Sequence, residues 1–305
     1  GLQKMIPSKN IVVQNVRFLA DDSIALGSEA SGGVRNVFIE NSEGTNLRKG
    51  FYFKANKNRG SHFEHIRMRN LTYGDLADVP ENRRKLTMIE VTTNYDSTGV
   101  KYNRDPEFKD IRLENFTGGT SIYPVTLEGT NKTPLKDFVF DNVHLNAGEN
   151  PNAFKFVDFD TMYFRNVTVD NSPLEGFIDS GKESTLIPQL NNTPPDVYAG
   201  EEEVLSLSHG NSITFSGDVL DAENDPMTFQ WEAVPADAEA VSMGEDSDGN
   251  NVYYPFGDES SVRFSNPRGL ATEVTFETPG TYRLRLNVSD GKATGYHTVF
   301  TEVRQ

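Results

Sequence analysis

Cysteine is absent from all 305 residues, which excludes disulfide staples and thiolate metal centres. Tryptophan occurs once. No run of about eighteen apolar residues is present, so no segment has the make-up of a membrane-spanning helix. No convincing amphipathic helix lies between the strand-like segments, which argues against alternating βα architecture. There is no Gly-rich phosphate loop, zinc motif or nucleophile elbow. Basic residues are scarce in one part of the chain: residues 186–305 hold 6 Lys/Arg against 20 Asp/Glu, whereas residues 1–185 hold 23 against 25. The two parts are therefore physically different, and the acidic one is unsuited to nucleic acid. Gly1-Leu2-Gln3-Lys4 carries no charged-then-apolar leader and reads as the start of a processed or truncated product.

What is present is a repeated short pattern. Segments 9–16, 35–41, 64–71, 109–116, 136–143 and 161–167 alternate apolar and polar residues, the period of a strand with one buried face. Each carries an Asn near its end, at Asn15, Asn41, Asn70, Asn115, Asn142 and Asn166. Asn tolerates left-handed backbone and bonds its own turn. The steps between them are 26, 29, 45, 27 and 24 residues. A period in the twenties with strands in every repeat predicts a parallel β-helix, the long step being one coil with an insertion over 74–104. Stacked Asn side chains are expected to bond from coil to coil. Several also begin Asn-x-Thr sequons, such as Asn70-Leu71-Thr72 and Asn166-Val167-Thr168, and the repeat accounts for them without glycosylation. A solenoid opening at Lys9 would expose an uncapped core, so further coils are expected ahead of it.

Asp21-Asp22 stand where a polar turn meets a short apolar strand. Ten basic residues against four acidic ones lie between Arg48 and Lys85, a field suited to an anionic ligand or to solvent. His62, His65 and His144 have no ligand spacing and read as structural.

The run Ile24-Ala25-Leu26-Gly27-Ser28-Glu29-Ala30-Ser31-Gly32-Gly33-Val34-Arg35-Asn36-Val37 resembles a coil of glycoside hydrolase family 28, the polygalacturonase family. So do its continuations Gly44-Thr45, Lys49-Gly50-Phe51-Tyr52-Phe53-Lys54 and Asn58-Arg59-Gly60. The likeness covers residues 8–75 well and later coils by repeat pattern. It implies a right-handed parallel β-helix and inverting hydrolysis of galacturonan or rhamnogalacturonan. Three departures stand out. The family's Gly-His-Gly falls on Ala20-Asp21-Asp22, without the His. Its Arg-Ile-Lys becomes Tyr52-Phe53-Lys54, keeping only the Lys. Its upstream Asn-x-Asp coil has no counterpart. Asp21-Asp22-Ser23-Ile24-Ala25 also resembles the family's Asp-Asp motif, and the residues do not decide between the two registrations.

Inverting hydrolysis needs a protonated carboxyl and a carboxylate with room for a water between them. The resemblance thus assigns Asp21 and Asp22 as the catalytic pair, with Asp22 the preferred acid. Lys54 would hold a uronate carboxylate, Tyr52 would stack on a sugar, and Lys57 and Arg59 would extend the anionic subsites. Arg83, Arg84 and Lys85 in the insertion would meet the same substrate or solvent.

Residues 172–200 change character, with Asn191-Asn192-Thr193-Pro194-Pro195, and mark a boundary at 185/186 between domains 1–185 and 186–305. Beyond it, strands at 212–217, 227–232, 273–276, 280–288 and 296–303 predict a β-sandwich of immunoglobulin type. Asp221-Ala222-Glu223-Asn224-Asp225-Pro226, Pro279-Gly280-Thr281-Tyr282 and Val288-Ser289-Asp290-Gly291 are similar to PKD-like and cadherin-like modules, which accompany secreted bacterial polysaccharide-degrading enzymes. Trp231 is expected between the sheets. The oxygen-rich Asp221, Glu223, Asp225 and Asp290 offer ligands of the kind calcium takes, or an ordinary acidic turn.

The expectation is an all-β, secreted or cell-surface bacterial protein acting on an acidic polysaccharide, needing no cofactor for hydrolysis. Two rivals stand beside it. One is a β-helical binding or adhesion protein without catalysis, favoured by the missing His and Arg. The other is a β-helical lyase using a Lys or Arg base with calcium.

Overall fold

The structure, a computed structural model, describes residues 7–19, 21–30, 32–56, 60–76, 87–95, 105–147, 154–173, 192–235, 242–245, 251–253 and 256–305. These fall into two compact units that divide between residues 173 and 192. The expected boundary at 185/186 lies outside the described residues.

The first unit contains β1 (Ser8–Gln14), β2 (Arg17–Phe18), β3 (Asp21–Leu26), β4 (Val34–Gly44), β5 (Leu47–Lys54), β6 (His62–Tyr73) and β7 (Thr87–Thr92). It continues with β8 (Glu107–Thr120), β9 (Tyr123–Glu128), β10 (Lys136–Asn146), β11 (Phe154–Val157), β12 (Met162–Val169) and β13 (Ser172–Pro173). The chain alternates between two sheets. One runs β1-β4-β6-β8-β10-β12-β13, with β2 also beside β4; the other runs β11-β9-β7-β5-β3. Pairing is parallel throughout except for β12 with β13. This is a parallel β-helix.

The period-2 pattern explains the core. Val37, Ile66, Ile111, Phe138 and Met162 stand in one register column, and Ile39, Met68, Leu113, Phe140 and Phe164 in the next but one. The second sheet answers with the column Ile24, Phe51, Ile89, Val125 and Phe154. Repeating like residues at like positions buries a continuous apolar stripe that no single coil could bury alone. Rings stack along it, Phe63 on Phe108 at 4.3 Å and 9°.

All six repeat Asn residues are left-handed, with φ between 49° and 57°. Their side chains bond from coil to coil: Asn70 Nδ2 donates to Asn41 Oδ1 at 3.1 Å, Asn115 to Asn70 at 3.1 Å, Asn142 to Asn115 at 2.9 Å and Asn166 to Asn142 at 2.7 Å. The ladder runs along an exposed corner, so it fixes turn geometry more than it rescues buried backbone.

A second left-handed ladder runs through Asn10, Asn36, His65, Asp110 and Asp137, with φ of 53° to 56°. Asn36 Nδ2 donates to Asn10 Oδ1 at 3.1 Å. Further along, His65 Nδ1 lies 2.9 Å from Asp110 Oδ2, while Arg67 donates to Asp110 Oδ1 and to its carbonyl at 2.8 Å each. All three are buried. Burial and the Arg67 charge push the His65 pKa down from 6.5 to about 4 against the pull of Asp110. Burial opposes the Asp110 charge, but Arg67 and His65 outweigh it and hold its carboxyl far below the usual range. His65 is thus a structural residue in a buried ionic layer.

The second unit contains β14 (Asp196–Tyr198), β15 (Glu203–Ser206), β16 (Ser212–Ser216), β17 (Asp218–Leu220), β18 (Thr228–Ala233), β19 (Ser242–Glu245) and β20 (Asn251–Tyr253). Then come β21 (Val262–Phe264), β22 (Ala271–Phe276), β23 (Gly280–Ser289) and β24 (Thr294–Arg304). A sheet β15-β24-β23-β18 and a sheet β16-β22-β21 make an immunoglobulin-like sandwich, with the β14-β17 pair beside them. Trp231 is buried in its core, 5.9 Å from the Phe215 ring, and its indole N–H donates to the Gly269 carbonyl at 3.1 Å.

Candidate functional site

The outward face of the sheet β3-β5-β7-β9-β11 gathers most of the residues expected to act on substrate. Its geometry begins with an irregularity. Asp21 pairs with Leu47 and Asp22 with Lys49, so Arg48 bulges out opposite the two aspartates. A bulge re-aims side chains, and Ser23 turns inward to bond the Gly50 carbonyl at 2.8 Å and the Tyr73 hydroxyl at 2.9 Å. Asp21 takes a left-handed φ of 59°.

Arg48 joins the two carboxylates. Its Nε donates to Asp21 Oδ1 at 2.6 Å, and its Nη2 lies 2.9 Å from Asp22 Oδ1. That second contact is an ion pair without hydrogen-bond alignment. Asp21 is exposed, whereas Asp22 is largely covered. Burial works against the Arg48 charge, yet the Asp21 hydrogen bond and the charges of Asp22 and Asp21 outweigh it and raise its pKa.

Lys49, buried beside Asp22, is ion-paired with Glu90, and its ammonium stands 3.5 Å from the centroid of the Tyr52 ring. Burial lowers the Lys49 pKa, opposed by Glu90 and Asp22. Tyr52 and Glu90 are register neighbours across β5 and β7. The Lys54 ammonium lies against two rings, 4.7 Å from the centroid of Tyr52 and 4.6 Å from that of Tyr95. The two rings meet edge to face at 6.0 Å and 73°. Among the described residues no carboxylate pairs with Lys54. Farther along, Lys155 pairs with Glu128, which also accepts from Thr92 Oγ1 at 3.3 Å.

Asp21, Asp22, Tyr52 and Lys54 are therefore neighbours on adjacent strands of one face. Lys57 and Arg59 lie outside the described residues, as do Arg83, Arg84 and Lys85. Sequence reasoning missed Arg48, Lys49, Glu90 and Tyr95 as parts of this face. The β5–β7 register brings Glu90 beside Tyr52 once it is known, whereas Lys49 shares the parity of the inward Phe51 and Phe53, so alternation alone turns it into the core; the bulge at Arg48 leaves no sequence signal. A depression of about 440 Å³ lies elsewhere, along Asn15, Asn41 and Asn70 with the Arg17–Glu43 ion pair. It is lined by the ladder and touches none of the candidate residues.

In the sandwich, Asp221 Oδ2 accepts from the Asp225 N–H at 2.6 Å. Asp225 Oδ2 pairs with the Lys292 ammonium at 2.6 Å. Asp290 Oδ1 accepts from the Lys292 and Ala293 N–H groups at 2.7 and 2.6 Å, and its Oδ2 accepts from Asn192 Nδ2 at 2.8 Å. Glu223 Oε2 accepts from Thr193 Oγ1 at 3.4 Å. Asp221, Glu223, Asp225 and Asp290 thus belong to one hydrogen-bonded neighbourhood. As placed, no group of three or more His, Asp or Glu among the described residues holds a metal-ligating arrangement.

Residues 204–303 match the family model described as PKD domain. Among solved structures, the chain is similar to a hyperthermoactive exopolygalacturonase from Thermotoga maritima, at 21% identity over 55% of this chain and 36% of that one, with a TM-score of 0.46. The chain thus spans about a third of the length of that protein. It is also similar to the PKD domain of the KIAA 1837 protein, at 19% identity over 37% of this chain and 90% of that one. A third likeness is the PKD domain of human KIAA0319, at 14% identity over 36% and 81%. Both of these have a TM-score of 0.25. No curated protein matches the chain by sequence.

Proposed function

We propose that the outward face of β3, β5 and β7 binds and hydrolyses an acidic, uronate-containing polysaccharide of the pectin type, as a secreted or cell-surface glycoside hydrolase. The observation that carries this reading is Lys54, a cation set against two aromatic rings with no carboxylate partner among the described residues. A sugar bearing a carboxylate meets both needs of such a place, charge for the ammonium and an apolar face for the rings. Asp21 and Asp22 supply the carboxyl groups for acid/base work, with Asp22 as the acid. A uronate that engaged Arg48 would compete with the aspartates for the guanidinium and release Asp22 toward the glycosidic oxygen.

One observation favours a second reading, carbohydrate binding without cleavage. Both aspartates are tied to a single arginine, and adjacency in sequence leaves little room for the water that inversion requires.

Incubation with polygalacturonate, following reducing ends and the absorbance of unsaturated products, separates the readings. New reducing ends without unsaturation support hydrolysis, and Asp22→Asn is then expected to abolish them. Unsaturation would indicate a lyase. Retained binding with neither product would sink the enzyme reading and leave the binding one.

A further inference from the structure

Lys49 stands between two carboxylates and is joined to one of them. It is the register partner of Asp22 across β3 and β5, yet its ammonium pairs with Glu90 on β7 and lies over the Tyr52 ring. Its side chain is 4% exposed, so the ammonium depends on a carboxylate and not on solvent, and burying it without one would be costly. Burial lowers its pKa, and Glu90 opposes this more strongly than Asp22 does. Asp22 is itself largely covered, and its Oδ1 is buried with no aligned hydrogen bond among the described residues, held by the Arg48 charge. The charged groups around this pair are Asp21 on β3, Arg48 on β5 and Glu90 on β7, with the Tyr52 ring beside Lys49 and the Tyr73 hydroxyl behind Ser23.

We propose that Glu90 is a positioning residue of this face: by taking up the Lys49 ammonium it withholds a second cation from Asp22, so that Arg48 is the charge to be displaced before Asp22 can carry a proton. The role rests on the hydrolytic reading above, in which Asp22 is the acid and a uronate draws Arg48 away. A general acid must hold its proton, and a cation close by favours the carboxylate instead. Were Lys49 free to turn to Asp22, removal of Arg48 would leave another cation in its place, and Asp22 would stay ionised. With Lys49 tied to Glu90, the same removal suffices. The two cations also differ in how readily they move. Lys49 belongs to a buried pair that is costly to break, whereas Arg48 is partly exposed and reaches out to the exposed Asp21.

Titration of the full chain followed by carboxyl carbon-13 NMR tests this without requiring activity, the Asp22 signal being identified by its loss in Asp22→Asn. Glu90→Gln keeps the shape of the side chain and removes its charge. Lys49 is then expected to turn to Asp22, whose proton affinity falls about tenfold. The double variant Lys49→Met/Glu90→Gln leaves no unpaired ammonium, and its Asp22 is expected to stay within about twofold of wild type, because the effect runs through the lysine. An unmoved Asp22 in Glu90→Gln, or a double variant that shares its fall, would overturn the proposal. Should Glu90→Gln not fold, a double variant in which Asp22 departs several-fold from wild type would overturn it as well. Hydrolysis of polygalacturonate gives a second readout. The fall in rate toward high pH, which marks loss of the protonated acid, is expected to move to lower pH in Glu90→Gln and to return in the double variant. Absence of reducing ends in the wild type would sink the hydrolytic reading, and the link between Glu90, Lys49 and Asp22 would still be decided by the titration.

Discussion

Acidification is expected to weaken the β-helix through His65 before any carboxylate contributes. The folded protein holds the His65 pKa at about 4, against about 6.5 for an unfolded chain. Above pH 6.5 the imidazole is neutral in both states. Between 6.5 and 4 the unfolded chain takes up a proton that the folded one refuses, so stability falls as pH falls. Linkage with these two values gives a loss of about 2 kcal/mol between pH 7 and pH 5. Carboxylates do not obscure this window. Glu107, held down to about 2 because His62 and Lys109 outweigh its burial, and Asp110, lower still, contribute stability that is lost only as pH drops below about 4.5.

Urea unfolding at pH 7, 6 and 5 measures the effect. Trp231, the sole tryptophan, marks the sandwich's transition by fluorescence, so the remaining circular-dichroism transition is that of the β-helix. The control is His65→Asn. Asn already occupies the same left-handed ladder at positions 10 and 36, and it does not titrate. The variant's β-helix is expected to keep the same stability from pH 7 to pH 5. An unchanged pH slope in His65→Asn would refute the assignment, as would a wild type that is insensitive to pH over this range.

Lys54→Ala is expected to weaken polygalacturonate binding by about tenfold, or about 1.4 kcal/mol, with Lys54→Arg retaining most of it; affinity electrophoresis in polygalacturonate gels reads both. Asn115→Ala removes two ladder hydrogen bonds, to Asn70 and from Asn142, and places a Cβ-bearing residue without a local bond at φ 52°. It is expected to cost the β-helix about 1–2 kcal/mol in urea, and Asn115→Gly less, because glycine adopts that backbone at no steric cost.

The strands of the larger sheet were legible because period-2 alternation and a repeated Asn are local properties. Each predicted segment from 9–16 to 161–167 overlaps a strand, and each ladder Asn is left-handed as its turn chemistry required. The smaller sheet was far less visible. Its strands are short, and Leu47–Lys54 is covered on both faces, so alternation fades. The second ladder was hidden for another reason. Its backbone conformation repeats, but its residue type passes from Asn to His to Asp as the surroundings become ionic. Arg48 was hidden by register: no single-sequence pattern tells that one residue of β5 bulges opposite Asp21 and Asp22.

Charge density alone did not locate the candidate face, and the reason is topological. The basic stretch from Arg48 to Lys85 reads as one field along the sequence, yet successive strands deliver it to different sheets. Arg67 is buried against Asp110, and Arg69 is bonded to Glu114 at 2.6 Å with Glu40 nearby. These charges hold coils in register and are spent on neighbours within the fold. Arg48, Lys49 and Lys54 go to the other sheet, where Arg48 and Lys49 are again paired with carboxylates. Of these three, Lys54 alone has rings and no carboxylate partner among the described residues, and rings attract a cation without neutralising it. A polymer carrying carboxylates must displace an existing partner at Arg48 and Lys49, but not there. Binding should therefore start at Lys54 and Tyr52 and reach Arg48 second. On that order, a Lys54 substitution weakens every substrate tested, whereas an Arg48 substitution separates binding from cleavage.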